Sequence, residues 1–380
     1  MLRRQSRPAA VSRKGVRVRP LRIAEVAPVA RSIPPAKSGS IETVTALLVD
    51  GLVSRGHDVT LFATGSSITS ARLHAVFERG YCEDSSMWPW ELCELFNVAA
   101  AIEQDGFDVI HCQAEYAPMS LAFSRLSAAP VVQTLHHSPT APEIALWSRY
   151  AAAPFVALSH HQARALDGLN VVAMIPHALD TAAYPFEPAP GDYVLFLGRF
   201  SEGKGVLQAI EAARRIGTRL VLAAAENEYY REAVRPLVDD EQIVYAGEVS
   251  HEEKTALLSG ARALLYPVQS GEPFGLVMAE AMACGTPVAA LDRGAVREVV
   301  DEGTTGRVFD SLDALVDGLP SVMALDRARV RARAMERFNA DRMVDAYVDV
   351  YTSLAAARPR SASERRERPP GPPILQRISR

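Results

Sequence analysis

Residues 184–205 read YPFEPAPGDYVLFLGRFSEGKG, and this stretch divides the chain into two halves. Its first eight residues hold three prolines and one glycine, which is the composition of a linker. The apolar run Tyr193–Leu197 that follows is typical of a buried strand, and a glycine-rich loop comes directly after it. A new strand after a linker predicts a second domain, and a chain of 380 residues is long enough for two.

Strand and helix patterns alternate on both sides of this linker. The first half opens with a short apolar strand at Leu21–Ala27, and the apolar positions of Ile41–Arg55 recur at helical spacing. In the second half a helical pattern at Val206–Arg215 precedes an apolar strand at Leu220–Ala224. Such alternation indicates parallel sheets. The sequence therefore predicts an α/β protein with two Rossmann-like, doubly wound domains that face each other across a cleft.

The domain boundaries predicted from these patterns are as follows. We expect an N-terminal domain over residues 20–180, a linker over 181–192 and a C-terminal domain over 193–340. An amphipathic helix over 341–357 is expected to cross back to the N-terminal domain. The basic segments 1–19 and 358–380 have the composition of disordered tails.

Charge is distributed unevenly along the chain. The net charge of −4 conceals seven cations in residues 1–19 and seven arginines in residues 356–380, so residues 20–355 carry 27 cations against 43 acids. A body this acidic is a poor binder of nucleic acid or of anionic lipid, although the basic tails leave a membrane contact open. The chain has no apolar run of transmembrane length, and its four cysteines lack CxxC spacing. These features favour a cytoplasmic protein with reduced thiols.

The segment EPFGLVMAE, residues 272–280, has two carboxylates eight residues apart around a Pro-Phe-Gly turn and the start of an apolar helix. A glycine at this turn allows backbone to approach a ligand, and the first N–H groups of a helix form an anion site. We interpret Glu272 as an acceptor for sugar hydroxyls and Glu280 as an acceptor for a ribose diol. The alternative is a helix cap and a solvated helix residue. The residues predicted here to bind the ligand are Glu272, Phe274, Gly275, Leu276, Val277 and Glu280.

The loop LGRFSEGKG, residues 197–205, follows the first strand of the second domain and contains two cations, Arg199 and Lys204. Cations and accessible backbone at the carboxyl end of a strand suit a diphosphate. Gly198, Arg199 and Lys204 are therefore predicted to bind the diphosphate of the ligand. The glycine spacing is neither the dinucleotide fingerprint nor a P-loop. A solvated basic turn is the alternative.

Together these two segments resemble the retaining glycosyltransferases of family 4, which have the GT-B fold. The likeness extends from about Leu21 to Tyr351. The resemblance implies an enzyme that moves a hexose from a nucleoside diphosphate sugar to a hydroxyl of a small molecule or glycan, with retention of configuration. UDP-glucose is the first donor expected, and GDP-mannose with a lipid or glycan acceptor is the second. No cofactor and no metal are expected, because the chain contains no Asp-x-Asp motif.

The resemblance also assigns residues in the first half. The segment Pro34–Glu42 is similar to the family's loop near the diphosphate, which predicts that Gly39 and Ser40 contact the donor, although the family's second glycine is replaced by Ser40. His136 is expected to act beside the donor sugar, as a catalytic residue together with Arg199, Lys204 and Glu272. A histidine at a strand end can instead be structural.

Three further histidine positions carry weaker expectations. His111 and Glu115 are candidates for contact with the acceptor. His177 is expected to shape the domain junction. The pair His160-His161 lacks acidic partners at metal-ligand spacing, so no metal site is predicted there.

Two other classes of protein share this layout. A sugar-nucleotide epimerase of the same fold would convert the donor without an acceptor. A non-catalytic binding protein would retain the cleft but lack turnover. The presence of all four residues Arg199, Lys204, Glu272 and Glu280 speaks against the binding protein, whereas incubation with a nucleotide sugar alone would reveal the epimerase.

Overall fold

A computed structural model describes residues 10–11, 17–37, 39–113 and 119–357. Glu115 and most residues of the two basic segments lie outside these ranges, so the predictions made for them stay predictions. Ahead of the main sheets, β1 (Ala10–Val11) and β2 (Arg17–Val18) form a short antiparallel pair.

The N-terminal half of the chain builds one sheet of seven parallel strands. Its order is β5-β4-β3-β6-β7-β8-β9, so the chain starts in the middle and winds to both edges. The strands are β3 (Arg22–Val26), β4 (Asp58–Phe62), β5 (Arg72–His74), β6 (Val109–Cys112), β7 (Val131–Thr134), β8 (Pro154–Ala157) and β9 (Asn170–Met174). The helices between them are α1 (Ser40–Ser54), α2 (Trp90–Glu103), α3 (Met119–Ser124), α4 (Ala141–Trp147) and α5 (His160–Ala165).

The C-terminal half builds a second parallel sheet of six strands in the order β12-β11-β10-β13-β14-β15. Its strands are β10 (Tyr193–Leu197), β11 (Arg219–Ala223), β12 (Ile243–Gly247), β13 (Leu264–Tyr266), β14 (Val288–Leu291) and β15 (Gly306–Phe309). Its helices are α6 (Val206–Ile216), α7 (His251–Gly260), α8 (Leu276–Ala283), α9 (Val296–Val299), α10 (Leu312–Met323) and α11 (Arg327–Arg337). The predicted α/β class with two parallel-sheet domains is confirmed.

The last helix, α12 (Ala340–Ala357), packs on the N-terminal domain although it follows the C-terminal one. It approaches α1 closely, because a Cβ atom at Gly51 would lie 2.5 Å from a methyl group of Val344. The Arg55 guanidinium adds ion pairs of 2.9 Å with both Asp341 and Asp345. The chain therefore crosses between the domains twice, once near residue 180 and once near residue 338.

The two domains contact each other at the carboxyl ends of their strands. Lys37 in the first domain lies 3.4 Å from Glu248 in the second. The hydroxyl of Ser138 donates to the carbonyl of Gly271 at 2.7 Å. Among the helices that the structure describes, none is long and apolar enough to cross a membrane.

Candidate active site

Helix α8 begins in the cleft at a turn that only glycine fits. Gly275 has φ +82°, and a Cβ atom there would meet the side chains of Met278, Glu272 and Tyr266 within 3.3 Å. Phe274, just ahead of it, is buried and anchors the turn. The first N–H groups of α8, at Leu276 and Val277, have no partner within the helix, so they form an anion-binding end.

Glu272 lies at the foot of this turn and is almost fully buried. The ammonium group of Lys204 lies 2.5 Å from its carboxylate, and the hydroxyl of Tyr266 donates to the same oxygen. Burial, and then the charge of Glu272, raises the pKa of Tyr266 well above its usual value, so this tyrosine remains a donor. The contact thus joins the loop after β10 to the loop after β13.

Glu280, the fifth residue of α8, has the same kind of surroundings. The ammonium group of Lys254 lies 2.7 Å from its carboxylate, and the hydroxyl of Tyr184 donates to that oxygen at 2.9 Å. Burial, and then Glu280, raises the pKa of Tyr184. Each glutamate of the segment therefore holds one lysine and one tyrosine. Sequence reasoning missed Lys254 and Tyr184, which lie 26 and 96 residues from Glu280 along the chain, and Tyr266, which lies near Glu272 but has the pattern of an ordinary buried strand residue.

The loop after β10 presents Arg199 to solvent. Its neighbour Phe200 is buried and stacks on Tyr230 with ring centroids 5.1 Å apart. This contact anchors the backbone next to Arg199. Gly205 closes the loop with φ +75°, where a Cβ atom would lie 1.9 Å from the carbonyl oxygen of Pro267. Within the described part of the chain, no hydrogen bond or ion pair engages the Arg199 guanidinium. It is therefore available to an anion.

His136 follows β7 on the opposite wall of the cleft. Its ring stacks on His177 with centroids 5.3 Å apart, and His177 meets the edge of Phe274 at 5.3 Å. Burial, and then the nearby His177, lowers the pKa of His136 well below its usual value; burial also lowers the pKa of His177 to about 4. Both ring nitrogens of His136 are buried, and no described residue bonds to them. A neutral imidazole with two unused nitrogens is suited to bind a ligand hydroxyl.

The comparisons with known proteins agree with this geometry. The sequence model described as glycosyltransferase family 4 matches residues 41–183, and the one described as glycosyl transferases group 1 matches residues 185–337. The chain belongs to glycosyltransferase family 4. The two matches meet at the linker, so each family description covers one of the two sheets.

Curated relatives of this family 4 glycosyltransferase include two kinds of enzyme. A phosphatidyl-myo-inositol mannosyltransferase of Mycobacterium leprae is 28% identical over 66% of this chain and 75% of its own length. The corresponding enzyme of Mycobacterium tuberculosis is 25% identical over 89% of this chain and 98% of its own length. A glycogen synthase of Mycobacterium tuberculosis is 32% identical, over 55% of this chain and 53% of its own length. The chain is therefore an enzyme that transfers glycosyl groups.

Solved structures support the GT-B fold. AviGT4, a glycosyltransferase involved in avilamycin A biosynthesis, superimposes with a TM-score of 0.68 at 26% identity, covering 89% of this chain and 99% of that one. HepE of Anabaena, solved in complex with UDP-glucose, gives a TM-score of 0.67 at 17% identity, over 88% of this chain and 100% of that one. The second likeness concerns the fold alone.

The family loop before α1 lies at the same edge of the N-terminal sheet as His136. Gly39 accepts the first backbone hydrogen bond of α1 from Thr43, and Ser40 is the exposed first residue of that helix. Their predicted contact with the donor stays a prediction, because the structure contains no donor.

The expectation for His111 is wrong. This side chain is fully buried in β6 beneath α12, where Nε2 lies 2.7 Å from Thr134 Oγ1 and Nδ1 lies 3.0 Å from the Glu25 carboxylate. The hydroxyl of Tyr351 completes this buried network at 2.6 Å from Nδ1. An acceptor cannot reach the imidazole, because strand β6 directs it into the interior and not towards the cleft.

The remaining histidines have structural partners. His137 Nε2 lies 2.9 Å from the carboxylate of Glu143. The backbone N–H groups of His160 and His161 both donate to the carboxylate of Glu298 in the other domain, each at 2.7 Å. Glu298 thus caps α5 across the cleft, a contact that the sequence did not indicate.

Proposed function

We propose that this enzyme transfers a hexose from a nucleoside diphosphate sugar to a hydroxyl acceptor, with retention of configuration and without a metal ion. The observation that carries the proposal is the pair of buried carboxylates on either side of the start of α8. Each is held by a lysine, and Arg199, whose side chain no described residue engages, lies in the same loop as Lys204. This arrangement provides separate positions for a sugar, a diphosphate and a ribose.

The diphosphate is assigned to the loop after β10. No described residue engages the five N–H donors of the Arg199 side chain, and the Lys204 ammonium has three donors, two of which reach the Glu272 carboxylate and the Tyr266 hydroxyl. The first N–H groups of α8 add the positive end of a helix dipole. Negative charge that develops on the leaving phosphate can therefore be stabilised by protein groups alone, which is the basis for proposing no metal.

The sugar is assigned to the space between Glu272 and His136. The Glu272 carboxylate can accept hydrogen bonds from sugar hydroxyls, and the neutral His136 imidazole can donate one and accept one. Glu280, deeper along α8, is assigned to the ribose diol. These roles are roles in binding and orientation, which raise the rate by holding the anomeric carbon near the acceptor.

In the proposed reaction the bond between the anomeric carbon and the phosphate oxygen breaks as the acceptor oxygen attacks on the same face. The electron pair of the broken bond stays on the phosphate. The acceptor proton passes to a phosphate oxygen, so no protein group has to change its protonation state. The low pKa of His136 fits this scheme, because an imidazole that remains neutral is not needed as an acid.

We propose UDP-glucose as the donor, with GDP-mannose as the second candidate. The relative named glycogen synthase is in line with glucose as the transferred sugar, and the relatives named mannosyltransferases are in line with mannose. Residues 20–180 hold nine cations against sixteen acids, which disfavours an anionic lipid as the acceptor.

The proposal is tested with the purified chain and a panel of UDP-, GDP- and ADP-sugars. Release of nucleoside diphosphate is measured first without an acceptor and then with glycan and small-molecule hydroxyls, with and without EDTA. NMR of the product gives the anomeric configuration. A donor that is isomerised without acceptor indicates the epimerase alternative. Binding without turnover of any donor indicates the binding protein, and inversion or a strict metal requirement contradicts the mechanism.

Glu272→Gln and Glu280→Gln variants separate the two subsites. The first is expected to lower kcat with most sugars, and the second to raise KM for every donor that shares the same nucleotide. A Glu241→Gln variant, at an exposed acid just ahead of β12 and outside the cleft, is the matched control. Unchanged kinetics in Glu272→Gln would remove the assignment of the sugar subsite.

A further inference from the structure

One face of α2 is more apolar than a solvated helix requires. Leu92 and Phe96 lie one turn apart on this helix. Leu92 is 45% exposed and Phe96 is 55% exposed. Trp88, two residues ahead of the helix, is 75% exposed. Single exposed apolar residues are normal, but two on one face of a helix, with an exposed tryptophan just ahead of that helix, form a patch that a partner can cover.

The same helix ends in negative charge. Glu103, its last residue, lies on the face of Phe96 because seven residues separate them, and Asp105 follows; both are exposed. The carboxyl end of a helix adds the negative end of its dipole. From Gly80 to Ser124 the chain has eight acids and neither lysine nor arginine. The α2 stripe, namely Trp88, Leu92, Phe96, Glu103 and Asp105, is thus apolar at one end and acidic at the other.

Residues 358–380 have the complementary composition in the matching order. Five arginines and two glutamates lie within residues 358–368, which leaves a net charge of +3; then comes the sequence PPGPP, and then Ile374, Leu375 and Ile378, with two further arginines at 377 and 380. A proline-rich run favours extended backbone, so it separates the basic part from the apolar part. An anionic membrane is a poor alternative occupant of the stripe, because the eight acids of residues 80–124, which have no lysine or arginine among them, would repel it.

The place where α12 ends brings this segment to the acidic end of the stripe. Ala357 lines an open groove of about 600 Å³ together with Ser124, the last residue of α3. Helix α3 packs against α2. The groove includes the first residues of β7 and β8, and α2 leads into the first residues of β6, so both lie at the amino edge of the sheet. The segment therefore departs from the edge at which Glu103 and Asp105 lie.

We propose that residues 358–380 bind along the α2 stripe of the same chain. The arginines that follow Ala357 pair with Glu103 and Asp105, and the isoleucines and leucine beyond the prolines cover Phe96, Leu92 and Trp88. The reach is sufficient: α2 is about 21 Å long, and the seventeen residues from Arg358 to Ile374 can span roughly 50 Å.

Trp88 reports on this contact directly. The test compares acrylamide quenching of tryptophan fluorescence in the full chain and in a chain that ends at Ala357. Covering half of a side chain that is 75% exposed reduces its access to a quencher by about twofold. Truncation is therefore expected to raise the quenching constant of Trp88 by about that factor. A Trp88→Phe background must abolish the difference, because Trp147 is buried and Trp90 is not part of the stripe.

A charge exchange separates docking from a general effect of the tail. Glu103→Arg with Asp105→Arg is expected to expose Trp88 as truncation does, and adding Arg365→Glu, Arg366→Glu and Arg368→Glu is expected to restore protection. Arginine-to-lysine changes at the same three positions are the control and should keep it. Equal quenching of Trp88 in the full and truncated chains overturns the proposal. If the protection of Trp88 from quenching depends on protein concentration, and sedimentation shows dimers, a second copy of the chain covers the stripe and the proposal is overturned.

Discussion

The two cations of the loop after β10 should respond differently to removal, because only one of them has a side-chain partner among the described residues. Arg199 is exposed and makes no side-chain contact in the described residues, whereas Lys204 lies 2.5 Å from the buried carboxylate of Glu272. We therefore predict that Arg199→Ala loses activity without losing stability. Lys204→Ala should lose both.

The magnitudes follow from these contacts. Removal of one donor to the developing phosphate charge costs about 3 kcal/mol in the transition state, or about 100-fold in kcat/KM. The exposed arginine contributes less than about 0.5 kcal/mol to folding. Lys204→Ala leaves Glu272 buried with the Tyr266 hydroxyl as its remaining partner, which costs about 2 kcal/mol of unfolding free energy in addition to a similar loss of rate.

Steady-state kinetics on the preferred donor and urea unfolding of the same preparations give both quantities. Arg329→Ala, an exposed arginine of α11 without a side-chain partner among the described residues, is the control and should leave both unchanged. The reasoning fails if Arg199→Ala keeps more than about a tenth of the wild-type kcat/KM. It also fails if Lys204→Ala unfolds at the wild-type urea concentration.

Three other outcomes are expected. His136→Leu should abolish transfer but raise the unfolding free energy by about 1 kcal/mol, since it removes two buried nitrogens without partners; a lowered melting temperature would contradict this. Stability should fall as pH is lowered from 6.5 to about 4, because the unfolded chain protonates His177 there and the native protein does not. The loss is about 3 kcal/mol for this group, and His177→Phe should flatten that part of a urea-midpoint profile. Tyr351→Phe should cost about 1–2 kcal/mol of stability without raising KM for the acceptor, because its hydroxyl serves Glu25 and His111 inside the first domain.

The parts of the fold that the sequence predicted are those with strong local signals. Each of three features can be recognised from a short run of consecutive residues. They are the linker before Tyr193, the alternation of apolar strands with helices, and the glycine turn at Gly275. The strand Gly306–Phe309 and the helices α10 and α11 were not predicted. Their segments are short or rich in charge, and their place is decided by packing on β14 and α8.

The candidate site shows the same division. Glu272, Glu280, Arg199 and Lys204 could be named because each lies in a short motif. Lys254 and Tyr184 could not, since they approach Glu280 from 26 and 96 residues away. His111 was misplaced for a related reason. A histidine near the carboxyl end of a buried strand can face either side of the sheet, and only the position of α12 determines which side is covered.

The charges around α8 explain why the two lysines and Arg199 have different roles in donor binding. Two buried carboxylates without cations would be costly, and Lys204 and Lys254 compensate them one by one. The two pairs therefore cancel, and Arg199 is the cation left over among these five groups. A diphosphate that enters must attract the lysines away from their carboxylates in part, which the remaining ammonium donors allow. As the sugar and ribose hydroxyls then satisfy Glu272 and Glu280, donor binding exchanges one set of buried partners for another. A nucleoside diphosphate without its sugar leaves Glu272 without that replacement, so it should bind more weakly than the intact donor.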